Sequence, residues 1–240
     1  MHLKVNCLSQ QLTKFFKKQK IYMVSDLGPI FDNCTHSDPG VIESYYINNQ
    51  FHLNSQNKFF VELGATNGII QSNTKTLEDK YDWSGLLIEP NDILFQDLQK
   101  KRPNCILKNY LVYNKNNEIV NFQQIRYIEG VGNSEYLGNS KIIDQKQQSP
   151  FSVEKATRTL ESILDEISAP QIIDFMVIDV ENSFFEVLSG MNFNKYDVKF
   201  LGVEMSINKN IAASINYLLN HNFKLINCNQ SGPDFIFQKI

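Results

Sequence analysis

No Gly-x-Gly-x-x-Gly follows any apolar run in this 240-residue chain. Where such a fingerprint would stand, the middle position is Thr66 and the third is Ile69. A dinucleotide site needs that middle glycine so that backbone can approach a pyrophosphate, and it is therefore excluded. Gly-x-x-x-x-Gly-Lys followed by Ser or Thr is also missing, which removes the phosphate loop. Cysteine is sparse. Cys7, Cys34, Cys105 and Cys228 have neither the paired spacing of a zinc site nor the density of a disulfide scaffold, which fits a reducing compartment. His2, His36, His52 and His221 form no ligand set or triad by spacing.

No apolar stretch reaches the roughly 18–20 residues that a membrane-spanning helix requires. The first twenty residues hold Lys14, Lys17, Lys18 and Lys20 without the apolar centre of a signal peptide. The expectation is a soluble, cytoplasmic protein with no membrane span. A net charge of -3 and a pI near 5.8 give no bulk attraction to nucleic acid, so no nucleic-acid partner is expected.

What is present is an apolar run, Phe59-Phe60-Val61-Glu62-Leu63, that turns into Gly64-Ala65-Thr66-Asn67-Gly68. It predicts a buried parallel strand turning sharply into a helix, with glycines where a ligand approaches backbone. A second strand, Leu86-Leu87-Ile88, ends at Glu89, the position of a ribose-binding carboxylate in nucleoside pockets. Glu62 would repel a pyrophosphate but suits a ligand bearing an ammonium and a sulfonium. The adenosine cofactor with those groups is S-adenosylmethionine.

Residues 1–57 read as an N-terminal extension packing on the core, with helical character over Gln11–Lys20 and turn formers over Asp26–Gly40. Leu12, Phe15 and Phe16 among lysines suggest a helix laid over the core. From residue 58, strands alternate with helices, the pattern of an α/β protein with a mostly parallel sheet. Strands are expected at Phe59–Leu63, Gly85–Glu89, Cys105–Leu111, Ile172–Asp179, Phe200–Glu204, Phe223–Asn227 and Asp234–Gln238. Helices are expected at Asn73–Tyr81, Asp92–Lys101, Val153–Ile167, Ser183–Leu188 and Ile211–Asn220. Glu118–Ile125 is a possible extra strand, and Glu129–Pro150 reads as a long loop that shapes a substrate pocket. The last two strands are separated by only Asn229–Pro233, too short for a crossover, and must be antiparallel.

Phe60-Val61-Glu62-Leu63-Gly64-Ala65, Ser72-Asn73-Thr74, Leu77-Glu78, Trp83-Ser84-Gly85-Leu86-Leu87-Ile88-Glu89-Pro90 and Arg102-Pro103 together resemble the FkbM-type methyltransferases. Ile173-Asp174-Phe175, Asp179-Val180-Glu181, Glu186-Val187-Leu188 and Gly190 resemble that family's second block, and Glu204 and Asp234-Phe235-Ile236-Phe237 also match. The resemblance covers residues 58–240. It implies a Rossmann-like class I methyltransferase fold, a seven-stranded sheet closed by an antiparallel hairpin, and S-adenosylmethionine-dependent O-methylation of a small molecule or glycan. Star-like proteins share the blocks and imply an alternative, a cofactor-binding or interaction module without catalysis. The chain departs from the family pattern at Val177, Asn182 and Phe184. Asn tolerates positive φ, so Asn182 is expected to keep the family's glycine turn.

Gly64 and Gly68 are expected to let the loop backbone lie against the methionine part of the cofactor, with Ala65 keeping the turn narrow and Glu62 acting on the ammonium through water or backbone. Glu89 is expected on the ribose hydroxyls, and Asn109 near the adenine by its position after the third strand. Ser72 and Asn73 are either helix caps or cofactor contacts. Asp179 and Glu181 lie beyond the fourth strand, where ligands gather in open α/β sheets. Their crowding makes a general base, and loop bonding is the structural alternative. Glu204 would orient the acceptor hydroxyl. No metal is expected, because no histidine stands beside these acids. A third reading, an RNA-cap 2′-O-methyltransferase, wants a Lys-Asp-Lys-Glu set and a basic groove, which the acidic balance opposes.

Overall fold

Strands covered on both faces are built from near-continuous apolar residues, and strands open to water on one face alternate. The computed structural model describes residues 40–49, 51, 58–124, 140–143, 151–205, 211–228 and 234–240. Helix α1 (Val41–Asn48) precedes β1 (Phe59–Leu63), α2 (Lys75–Tyr81), β2 (Ser84–Ile88), α3 (Asp92–Lys101) and β3 (Ile106–Lys108). Next come β4 (Leu111–Val112), β5 (Ile119–Gln123), β6 (Lys141–Ile143), β7 (Ser152–Arg158), α4 (Leu160–Glu166), β8 (Ile172–Ile173) and β9 (Phe175–Ile178). A 3₁₀ turn (Glu181–Ser183) leads into α5 (Phe184–Ser189), β10 (Asp197–Val198), β11 (Phe200–Glu204), α6 (Ile211–Asn220), β12 (Phe223–Cys228) and β13 (Asp234–Lys239).

The main sheet has seven strands in the order β12-β13-β11-β9-β1-β2-β3. The five from β11 to β3 are parallel, and β13 runs antiparallel to both of its neighbours. This is a mixed α/β sheet with a C-terminal antiparallel hairpin, consistent with a class I-like methyltransferase fold. Strand order reverses direction between β1 and β9, which opens a crevice at their carboxyl ends. β1 and β9 are buried at every position. Their side chains alternate between two apolar layers, as the two-residue repeat of a strand requires. Val61, Leu63, Met176 and Ile178 join α4, α5 and α6 on one face. Phe60, Phe175 and Val177 join α1, α2 and α3 on the other, the face that Glu62 shares with Phe60. Tyr46 of α1 lies 4.5 Å from Phe175 and 4.6 Å from Phe200, ring centre to ring centre.

A second sheet, β4-β7-β5-β6, stands beside the crevice. It accounts for the main departures from the sequence expectation. Val153–Ile167 is not one helix. Its first half is β7, where Val153, Lys155 and Thr157 alternate, and Thr159 then caps α4 by accepting the Ser162 N–H at 3.2 Å. The expected strand Cys105–Leu111 divides between β3 in one sheet and β4 in the other. Ile172–Asp179 is interrupted at Asp174, whose carboxylate accepts the Phe59 N–H at 3.0 Å. Part of the expected loop Glu129–Pro150 is strand β6. The expectations for Gln11–Lys20 and for Asp26–Pro39 lie outside the described residues.

Candidate functional site

The crevice is built where β1, β2 and β9 end together. Gly64 follows β1 with φ +81°, and its N–H donates to the Ile88 carbonyl at 2.9 Å. A Cβ there would stand 1.9 Å from the Asp179 carbonyl oxygen. No side chain fits between the loop after β1 and the residue after β9. Ala65 also donates to the Ile88 carbonyl, at 3.1 Å, and its side chain is buried in the second apolar layer. Thr66 takes a left-handed conformation with φ 47° and donates its N–H to Glu89 Oε2 at 2.8 Å. The Asn91 N–H donates to Glu89 Oε1 at 2.7 Å. Each carboxylate oxygen keeps lone-pair capacity for a further donor. Burial lifts the Glu89 pKa to about 7, against the pull of the Asn91 and Thr66 amides and of Lys155.

These groups border a hollow. Gly64, Thr66, Ile88 and Glu89 form one side, Asp179, Glu181 and Ser183 the facing side, and Tyr110, Val112 and Phe122 a largely apolar wall. Ser140, Lys141 and Ile142, on or beside β6, close it from the second sheet. Counting the space open to solvent, it encloses about 640 Å³.

Asp179 and Glu181 stand at the far side, and Glu204 and Asp234 lie near enough to act on Asp179. Burial, the neighbouring charge of Glu204 and a hydrogen bond with its side chain hold Asp179 well above the usual carboxylate range, with Glu181 and Asp234 adding to the effect. A hydrogen bond between two carboxyl groups requires one of them to carry a proton. Glu181 is raised to about 7 by burial and by Glu204, with Lys141 opposing. Glu204 ends β11 directly across from Asp234 in the ladder. The positive φ expected at Asn182 falls instead on Glu181, at 58°. The strand ends at Ile178 and the 3₁₀ turn begins at Glu181, so the sharp turn is made before Asn182 is reached. Among the described residues, no group of three histidines, cysteines or acids could hold a metal ion.

The other predicted residues frame the hollow without lining it. Glu62 is buried, and its Oε1 accepts the Asn73 N–H at 2.7 Å. Its Oε2 accepts from the hydroxyls of Ser72, at 3.2 Å, and Thr74. Arg102, wholly buried, donates to the Gly68 carbonyl at 3.0 Å and to the hydroxyls of Ser72 and Thr74, both at 3.1 Å, and pairs with Glu78. Gly68, with φ +80°, faces α3, where a Cβ would stand 2.6 Å from Leu98 and 2.7 Å from Arg102. Asn109 donates to the Glu89 carbonyl at 2.9 Å and accepts from Lys155 at 3.3 Å. The structure thus gathers Gly64, Glu89, Asp179 and Glu181 at the hollow, with Glu204 behind Asp179. It places Glu62, Ala65, Gly68, Ser72, Asn73 and Asn109 in the supporting layer.

Several residues of the site escape a reading of motifs. Thr66 gives no signal because its contribution is a backbone amide. Tyr110, Phe122 and Lys141 come from segments whose sheet is invisible in the main alternation. Arg102 stands beside Pro103 in a matching block, but its buried charge shows only in three dimensions.

A reversing parallel sheet with acids at its carboxyl edge is consistent with the class I methyltransferase type. The chain belongs to the FkbM methyltransferase family: the family model of the Methyltransferase FkbM domain matches residues 62–225. No curated protein matches the chain. Among the described residues, no helix is long and apolar enough to cross a membrane.

Proposed function

We propose that the chain is an S-adenosylmethionine-dependent O-methyltransferase acting on a hydroxyl of a small molecule or glycan. The observation that carries this reading is Glu89, a buried carboxylate fixed by two backbone amides and facing the hollow with acceptor capacity to spare. Two vicinal ribose hydroxyls are donors of the kind it can accept. Tyr110, Val112 and Phe122 offer an apolar wall for a purine ring. Gly64 keeps the loop against Asp179, where any larger residue would push backbone into the cofactor's place. Glu62 holds the loop from behind, so its part in binding is through backbone.

When bound, S-adenosylmethionine supplies a methyl group on a sulfonium, open to in-line attack by an oxygen. The protein's contribution is position and proton handling, of which positioning alone is worth roughly 7–11 kcal/mol in well-oriented cases. Glu181, across the hollow from Glu89, is suited to take the proton of the acceptor hydroxyl, and Asp179, held protonated by its burial, to position that hydroxyl. A carboxylate that titrates near 7, as Glu181 does, is matched to a general base at neutral pH. Glu204, hydrogen-bonded to Asp179, orients it.

Val177 and Phe184, two of the departures from the family pattern, are fully buried in the two apolar layers. Neither lines the hollow, so their change leaves its chemistry in place and favours the enzyme over the non-catalytic module. The reading assigns the cytoplasm, where the free thiols of Cys105 and Cys228 stay reduced.

Calorimetric titration with S-adenosylhomocysteine tests the cofactor. Glu89→Ala is expected to weaken binding by about 10- to 150-fold, the equivalent of roughly 1.5–3 kcal/mol for a charge-assisted bond. Absence of heat with the wild-type chain would overturn the proposal. If binding is intact, Glu181→Gln assayed on hydroxylated acceptors should bind the cofactor and lose transfer. A wild-type chain that binds but methylates none of them would support the module instead.

A further inference from the structure

Helix α2 starts without the cap its sequence offers. Thr74 stands at the N-cap position, yet its side chain makes no capping bond and is turned toward Glu62 and Arg102. The cap comes from another element, 33 residues earlier. Glu43 of α1 accepts the Thr76 N–H at 2.7 Å on Oε1 and the Thr76 hydroxyl at 3.1 Å on Oε2. Its own N–H donates to Asn73 Oδ1 at 3.2 Å, and the Gly40 N–H donates to the Ser72 carbonyl at 2.9 Å. The stretch Ser72–Thr76 is therefore gripped from two sides, by Glu62 and Arg102 beneath and by α1 above.

We infer that Glu43 is a positioning residue for the cofactor loop, and that α1 belongs to the binding machinery although it lies outside the matched family region. This rests on the cofactor reading above. The path is short. Glu43 fixes Asn73 and Thr76, Glu62 ties Asn73 and Ser72 to β1, and Arg102 ties Ser72 to the Gly68 carbonyl. Between Gly68 and the end of β1 stand Gly64 and Thr66, the loop's two contributions to the hollow. Freeing the far end of the loop removes the constraint that aims the Thr66 amide at Glu89. Glu43 is itself completely buried, and burial together with the nearby Glu62 raises its pKa to about 8, with Thr76 opposing. The acid is thus mostly neutral at physiological pH, and a glutamine can stand in for it.

The test compares Glu43→Ala, Glu43→Gln and Leu218→Ala in the full chain. Leu218 is buried on the opposite face, so its truncation lowers stability without touching Ser72–Thr76. Affinity for S-adenosylhomocysteine, thermal midpoint and amide exchange at Asn73 and Thr76 are read for each. Glu43→Ala should raise the Kd about tenfold, the effect of about 1.4 kcal/mol, and expose both amides. Glu43→Gln should restore both readouts, and Leu218→Ala should melt lower with affinity unchanged. Wild-type affinity in Glu43→Ala, or an equal loss in Leu218→Ala, would overturn the inference. If the wild-type chain itself takes up no S-adenosylhomocysteine, the cofactor reading has failed, and protected amides in Glu43→Ala would then show that Glu43 does not order the segment either.

Discussion

Gly64 and Asp179 approach each other as closely as two backbones can. Gly64→Ala places a methyl group 1.9 Å from the Asp179 carbonyl and forces alanine to φ +81°. The expected loss is roughly 2–6 kcal/mol from strain and overpacking together, read as a drop in the urea midpoint and accompanied by loss of cofactor binding. A stable variant with wild-type affinity would mean that the loop and the end of β9 are not held together in this way. Gly64 and Glu89 were legible in the sequence because each ends an apolar run, and a strand's carboxyl end is where ligands collect. Gly68 was legible as a glycine that had to be one, but not for its reason. Its constraint is the flank of α3, which sequence order places 30 residues away. Glu62 shows a similar gap: alternation along β1 puts it on the helix-covered face with Phe60, so its carboxylate meets Ser72, Asn73 and Thr74 first.

Among the elements, the stretch from β7 to α4 shows what periodicity can hide. Val153 to Arg158 alternates weakly, with only Thr157 buried, so the strand's pattern is faint and merges with the helix that follows. The boundary was marked by Thr159, whose hydroxyl accepts the Ser162 N–H. Thr159→Ala should lower unfolding free energy by about 1 kcal/mol in chemical denaturation, and an unchanged midpoint would show that the cap contributes nothing. Helix α1 was not visible as an element at all. Its anchors are a tyrosine among Phe175, Phe200 and Trp83, and an isoleucine over Gly202 on β11, where a Cβ would stand 2.3 Å away. By contrast, α3 and α6 follow their sequence signals closely, because each turns one set of apolar side chains to the sheet, and the closing hairpin does so because its connection is too short for a crossover.

Across the molecule, carboxyl groups are buried with their pKa values pushed up: Glu43 to about 8, Glu89 and Glu181 to about 7, and Asp179 well above its usual value. The folded state therefore favours their protonated forms more than the unfolded chain does. The stability that these protons confer is fully present below the ordinary carboxylate range, near pH 4.3, and is lost as pH rises through about 7 to 8. The thermal midpoint of the unliganded protein should fall as pH is raised from about 5.5 to about 8.5, and Glu43→Gln with Glu89→Gln should flatten that slope. A midpoint that climbs over the same interval would contradict the burial of these acids.

The small sheet of β4 to β7 enters the chain after β3 and leaves it before β9, so it is an excursion from the large sheet and not a part of its wiring. Gly64 and Glu89 reach the hollow from the ends of β1 and β2, whereas Val112, Phe122 and Lys141 reach it from the excursion. Under the proposed function, the ribose contact and the purine wall are thereby inherited on different stretches of polypeptide. Selection can therefore reshape the wall of the hollow on the small sheet while the carboxylate and glycine held by the large sheet stay as they are.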